Sequence, residues 1–158
     1  MEGTDIVTTR LVFQAPVNHS LDHKAEEAKE VLRVWDAEGI DAAKALAKTY
    51  GFPPHFYSIR SISINAEMDA TVPIVLNAFR IGNMSFITAP NELFSTIGIH
   101  VRLHGPFENT FIITGNRGYL PCMAAYEYNA YEAISSHCVK GTAEAVASTF
   151  VEMLESIC

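Results

Sequence analysis

Four of the six tyrosines lie in one stretch, GNRGYLPCMAAYEYNAYEAISS, at Tyr119, Tyr126, Tyr128 and Tyr131. Glu127, Asn129 and Glu132 are threaded between them. A phenol is an apolar ring with one polar end, so such a cluster either fills a core or lines a polar pocket. In a pocket, a phenol can donate to an oxyanion that develops during acyl transfer. A carboxylate stands at a second place of interest, Glu92 in TAPNELF, where a buried strand runs through Pro90 into a helix. Ligands of open α/β sheets collect where strands end and helices begin. The glycine-rich turn TGNRGYLP, which leads to Tyr119, is another such junction. On residue type alone, Glu92 either complements a helix dipole or faces a ligand, and Tyr119 either packs or faces a pocket. His100 and His104 are i,i+4 on one expected helix, which is metal-ligand spacing, but the companion glutamate of the metalloprotease motif is absent. They read as a partly exposed helix face.

The elements that must position these groups follow from the apolar pattern. TDIVTTRLVFQAPV alternates and is rich in β-branched residues, which predicts a strand stopped near Pro16, at an edge or as an arm. SLDHKAEEAKEVLRVWDAEG and IDAAKALAKTYG have helical spacing, with Ser20 as a capping residue and glycines at the ends. Their alanine and charge content predicts a solvated pair over a sheet. FYSIRSISINAEM alternates with isoleucine on both faces and predicts a part-buried strand. TVPIVLNAFRIG and MSFITAP predict strands joined by a tight turn at Gly82-Asn83. NELFSTIGIHVRLHG predicts a helix with Asn91 as N-cap. NTFIITG predicts a short buried strand, the tyrosine segment a turn and strand, and KGTAEAVASTFVEMLESIC a helix capped by Thr142. The order β-αα-βββ-α-β-(turn-β)-α predicts an α/β fold, a mixed β-sheet with helices packed on its faces.

Composition narrows the function classes. At 158 residues the chain fits one domain, large enough to bury roughly two-thirds of its unfolded surface. The net charge of −7 and the lack of any basic run argue against a nucleic-acid surface. No apolar run approaches the ~18 residues of a membrane span, and the N-terminus lacks the order of a secretory signal. Cys122, Cys138 and Cys158 match no zinc or redox spacing and read as free thiols.

Taken whole, RIGNMSFITAPNELFSTIGIHVR, the tyrosine segment and the closing helix resemble the neutral/alkaline ceramidase family and its bacterial ceramidase-like relatives. In that family a strand ends in a Pro-Gly-Glu-type turn and enters a helix carrying a later Gly-x-x-x-Arg. Pro90, Glu92, Gly98 and Arg102 stand at those places here, with Asn91 in place of the glycine. A second strand leads to an Asn-rich turn ending Gly-Tyr, then to Tyr-Glu-x-x-Ser-Ser. These correspond to Asn116, Gly118, Tyr119, Tyr131, Glu132, Ser135 and Ser136. The resemblance covers residues 71–157 firmly and 1–70 only in the order of elements.

The resemblance implies zinc amidase chemistry on the N-acyl bond of ceramide. The family holds its metal with two histidines, a glutamate and a tyrosine. Carried over, Glu92 is the glutamate ligand, Tyr119 the tyrosine ligand, and Tyr131 a tyrosine lining the active site. Tyr126 and Tyr128 then pack or hydrogen-bond around it. None of the six histidines, His19, His23, His55, His100, His104 and His137, stands in the family's histidine context. The expectation is therefore the C-terminal part of a ceramidase-like catalytic domain, half of a zinc site, and an inactive isolated chain whose partner is the remainder of the parent. The alternative is a non-catalytic binding or assembly module that has lost the metal site. An exposed sheet edge also predicts self-association.

Overall fold

The computed structural model describes residues 5–53 and 55–158. Thr4, at the start of the first expected strand, and Pro54 of the GFPP turn lie outside the described residues. The chain is mixed α/β. Its main sheet has strand order β1-β2-β3-β5, built from β1 (Ile6–Pro16), β2 (Thr71–Ile81), β3 (Met84–Ala89) and β5 (Asn109–Thr114). β1 is an edge strand along the whole of β2, antiparallel, from Ile6↔Ile81 to Pro16↔Thr71. β2 and β3 form the expected hairpin, turned at Gly82, whose φ of 59° is left-handed. β3 and β5 are parallel, with Met84↔Asn109 through Ala89↔Thr114, and α4 (Ser95–His104) connects them.

One face of this sheet carries Ile74, Leu76, Ala78, Ile87 and Ala89 into a core shared with Ile97 and Val101 of α4 and with the C-terminal helix α7 (Thr142–Glu155). Val146, Phe150, Met153 and Leu154 supply the buried stripe of α7, at the helical spacing read from the sequence. Gly98 lets α4 close on the sheet, because a Cβ there would meet Ile112 Cδ1 at 2.6 Å. Arg102, one turn on, donates from Nε to the Thr110 carbonyl at 3.1 Å. The other face presents a row of stacked rings, Phe79–Phe86 at 4.7 Å and Phe86–Phe111 at 5.0 Å between centroids. Phe111 and Ile113 on the edge strand β5 are 47% and 49% exposed there.

Residues 56–68 are not the expected strand. They form a 3-10 turn, Phe56–Ser58, and a helix α3, Ile59–Asn65. The serine–isoleucine alternation suits a strand, but burial follows Phe56, Ile59 and Ile62, three residues apart, while Ile64 is exposed. Tertiary packing on that helical stripe overrides the local preference. The helix pair α1 (Ala25–Glu38) and α2 (Ile40–Thr49) is likewise not a cover over the sheet. Ala28, Val31, Val34, Ala43 and Ala47 pack with Phe52, Phe56, Ile59 and Ile62 into a second core.

The expected caps also move. α1 follows a 3-10 turn at Asp22–Lys24, beyond Ser20, and Lys24 stands at its N-cap. Gly141 precedes α7, with Thr142 as its first residue. α4 begins at Ser95 with Phe94 at its N-cap, so Asn91 is not a capping residue. Among the described residues no helix is long and apolar enough to cross a membrane, and Cys122, Cys138 and Cys158 are free thiols.

Candidate functional site

The parallel strands β3 and β5 do not separate where the main sheet ends. Gly115 N–H donates to the Ala89 carbonyl at 2.9 Å, Arg117 N–H to the Pro90 carbonyl at 2.8 Å, and Glu92 N–H to the Gly118 carbonyl at 2.9 Å. Asn91 Nδ2 adds a bond to the Arg117 carbonyl at 2.7 Å. The two junction segments are thus laced together and end in a two-residue parallel ladder, β4 (Glu92–Leu93) and β6 (Tyr119–Leu120). Its register is Glu92↔Tyr119 and Leu93↔Leu120. Successive side chains of a strand point to opposite faces. Leu120 is fully buried in the core with Leu93 packed against it, which sets Glu92 and Tyr119 together on the other face.

Two glycines make this lacing possible. A Cβ on Gly115 would overlap the Pro90 carbonyl oxygen. Gly118 has a φ of 78°, a left-handed conformation that side chains other than glycine rarely accept. Together they let the turn lie flat on its neighbour and aim Tyr119 outward.

The Glu92 carboxylate acts on the Tyr119 phenol through its charge. The charge of Glu92 is the main cause that raises the Tyr119 phenol above its ordinary range, with burial and Tyr131 adding to it. Tyr131 opens a short helix α6 (Tyr131–Ser135) and meets Tyr119 edge to face, with centroids 5.9 Å apart at 73°. The His55 ring also meets Tyr131, with centroids 6.0 Å apart at 66°. Glu92 is thus linked to Tyr119 by the ladder, Tyr119 to Tyr131, and Tyr131 to His55.

The rest of the tyrosine segment divides. It is not the expected strand: after β6 it forms α5 (Met123–Glu127) and then α6. Tyr126 is a structural tyrosine, donating to the Cys138 carbonyl at 2.8 Å, and burial pushes its phenol up to about 12. Tyr128 neither packs nor lines a pocket, being 83% exposed. His100 and His104 stack at 4.1 Å on an exposed helix face.

A polar hub, whose members Asn65 and Ser61 were not singled out in the sequence, joins the backbone of Tyr119. Ser136 Oγ donates to the Tyr119 carbonyl at 3.0 Å, and Ser61 Oγ to the Ser135 carbonyl at 3.0 Å. Asn65 Nδ2 donates to the carbonyls of Asn18 at 3.2 Å and Ser136 at 3.4 Å. Its Oδ1 meets Nδ1 of His137 at 2.5 Å. Asn65 and His137 are far apart along the chain, so no local spacing signals their pairing.

Chemically, the ladder offers two oxygen donors on one face. Zinc takes four or five ligands, so Glu92 and Tyr119 fit half of such a set. Among the described residues no group of three His, Cys, Asp or Glu side chains could hold a metal ion. No family model, no curated protein and no solved structure matches the chain.

Proposed function

We propose that this chain contributes half of a zinc amidohydrolase centre, with Glu92 and Tyr119 as oxygen ligands and Tyr131 as the phenol beside the substrate. The remaining ligands come from outside the chain. The observation that supports this reading is the ladder register Glu92↔Tyr119, which sets a carboxylate beside a phenol at the end of two parallel strands. When bound, zinc polarises an amide carbonyl and acidifies a water. Glu92 gives the centre its negative charge. It also opposes ionisation of Tyr119 while no cation is present, so the phenol becomes a good donor only beside a cation. Tyr131 contacts the rings of Tyr119 and His55 edge to face, and its hydroxyl can donate to the acyl oxygen. The resemblance to ceramidases points to a lipid amide such as an N-acyl sphingosine as substrate.

The test is zinc analysis and an amidase assay on the parent polypeptide that contains this chain. Glu92→Gln and Tyr119→Phe should each lower zinc occupancy and cut kcat/KM at least ~100-fold, a loss of about 2.7 kcal/mol in transition-state binding. An active parent indifferent to both substitutions would overturn the reading.

A second reading, an assembly module without catalysis, is favoured by the stacked Phe79–Phe86–Phe111 row, whose edge residue Phe111 is half exposed. A parent with neither zinc nor amidase activity would support it.

A further inference from the structure

The main sheet is covered on one face only. The helices α4 and α7 lie on its core face. The second core, built from α1, α2 and α3 with Phe52 and Phe56, holds no strand residue. Side chains alternate along a strand. The register therefore puts the even residues of β1 and β3 and the odd residues of β2 and β5 on the outer face. Ile6, Val12, Met84, Phe111 and Ile113 stand there, between 39% and 66% exposed. A sheet face left to water is ordinarily polar, and contiguous exposed apolar surface of this kind marks an interaction site.

Three features restrict what can cover it. The first is charge. Among the described residues of this face Arg10 is the one ionic side chain, in a chain of net charge −7. A basic partner would find no carboxylate there, and an acidic one a single cation. The second is the pairing of polar groups within the face. Asn77 Nδ2 donates to Thr88 Oγ1 at 2.9 Å across β2 and β3, so both can lose water without being left unpaired. The third is the aromatic rung. Phe79, Phe86 and Phe111 are nearly parallel, at 7° and 18°, with centroids 4.7 and 5.0 Å apart, which is about the ~4.8 Å spacing of the strands. Their flat faces meet one another, and ring edges are left for a partner. A stacking platform for bases would need those faces. The surface that fits is uncharged, apolar and sheet-like, and the same face of a second copy has all three properties.

The extent is also sufficient. At ~3.4 Å per residue and ~4.8 Å between strands, the four strands present about 550 Å² in projection. Two copies would cover about 1,100 Å², which clears the ~1,000 Å² of a specific interface. We propose that two copies of this chain pack outer face to outer face, like the sheets of a β-sandwich, with the Phe79–Phe86–Phe111 rungs in the contact. This contact is made by side chains and leaves the strand edges free. It names the partner of the assembly reading, and the zinc reading plays no part in it.

The experiment is sedimentation equilibrium of the chain over micromolar to submillimolar concentration, at low and high salt. The chain should dimerise. Val12→Lys and Phe111→Lys should each weaken the dimer at least ~10-fold, with circular dichroism unchanged. Leu103→Lys, at an exposed apolar position on α4, should leave it intact. Salt should tighten the dimer, because it screens the repulsion between two acidic chains while the face has no ion pair to lose. Amide hydrogen exchange should show the edge amides of β5 as open in the dimer as in the Val12→Lys chain. A monomer throughout, a dimer indifferent to both substitutions, a dimer dissolved by salt, or one whose β5 edge amides become protected would overturn the proposal. So would a monomer that floats with phosphatidylcholine vesicles, since the face would then belong to lipid.

Discussion

Glu92 and Tyr119 face each other across a parallel ladder only two rungs long, with Leu93 and Leu120 forming the other rung. The second rung is apolar and held in the core, which fixes the first rung outward. The site is thus positioned by buried Leu120, by Leu93 packed against the core, and by backbone bonds between two junction segments, and its own side chains are spared that role.

The glycine that permits the lacing is the first test. Gly115→Ala places a methyl against the Pro90 carbonyl oxygen, which is backbone and cannot swing aside. Overpacking of this kind costs about 1–3 kcal/mol. Urea denaturation should show that loss, with the Tyr119 ring resonances shifted in the folded protein. An unchanged midpoint would mean that the two segments are not in contact.

The charge coupling within the first rung can be read directly. The Glu92 carboxylate is the largest cause raising the Tyr119 phenol. Glu92→Gln removes that charge, so Tyr119 should ionise at lower pH than in the unsubstituted chain. Carbon-13 labelling at tyrosine Cζ follows this residue by residue. A Tyr119 titration indifferent to the substitution would place the two groups apart.

Ser136 links the hub to the ladder. Its buried hydroxyl donates to the Tyr119 carbonyl and accepts from Cys138 N–H at 3.1 Å. Ser136→Ala leaves a buried donor and a carbonyl unpaired, a cost of about 1–3 kcal/mol. Thermal unfolding should register it.

Stability should fall at both ends of the pH range. The His137 pKa is lowered in the folded state, so below the ordinary histidine value of about 6.5 the unfolded chain binds more protons and stability falls with falling pH. Tyr126 is raised to about 12 and Cys138 to about 11, both by burial. Their contribution is present below the unfolded values near 9 and 10 and is lost as pH rises through the folded ones. Urea midpoints between pH 5 and 11 should therefore form a plateau with two falling limbs. His137→Phe should flatten the acid limb selectively.

The fold was legible in the sequence where one signal dominated. The β2–β3 hairpin followed from Gly82-Asn83 between apolar runs, and the α7 stripe from its helical spacing. The segment at Ile59–Asn65 misled because its alternation suits a strand while its partner face, Phe52 and Phe56 with α1 and α2, lies elsewhere in the chain. Glu92 and Tyr119 were readable as candidates because one follows Pro90 at a strand end and the other ends a Gly-Tyr turn, and Tyr131 because it opens the Tyr-Glu-x-x-Ser-Ser pattern of the resemblance. Their meeting depends on the parallel pairing of β3 and β5, which no local residue encodes. His137 and Asn65 were invisible for the same reason, since their bond joins α3 to the segment after α6.

The outer face of the main sheet carries a further expectation. Phe111 and Ile113 lie on an edge strand and are about half exposed, and such edges template association. Sedimentation equilibrium should show self-association that Phe111→Lys reduces.

The most direct test of the central claim is paramagnetic broadening by Mn²⁺ of carbon-13 signals in the isolated chain. Two ligands seldom hold a metal, so millimolar ion is used, and an oxygen-seeking cation suits a carboxylate and a phenol. The account predicts that Glu92 Cδ and Tyr119 Cζ broaden together, and that Glu92→Gln abolishes both effects. Broadening centred on other carboxylates, or at Glu92 with Tyr119 untouched, would contradict it.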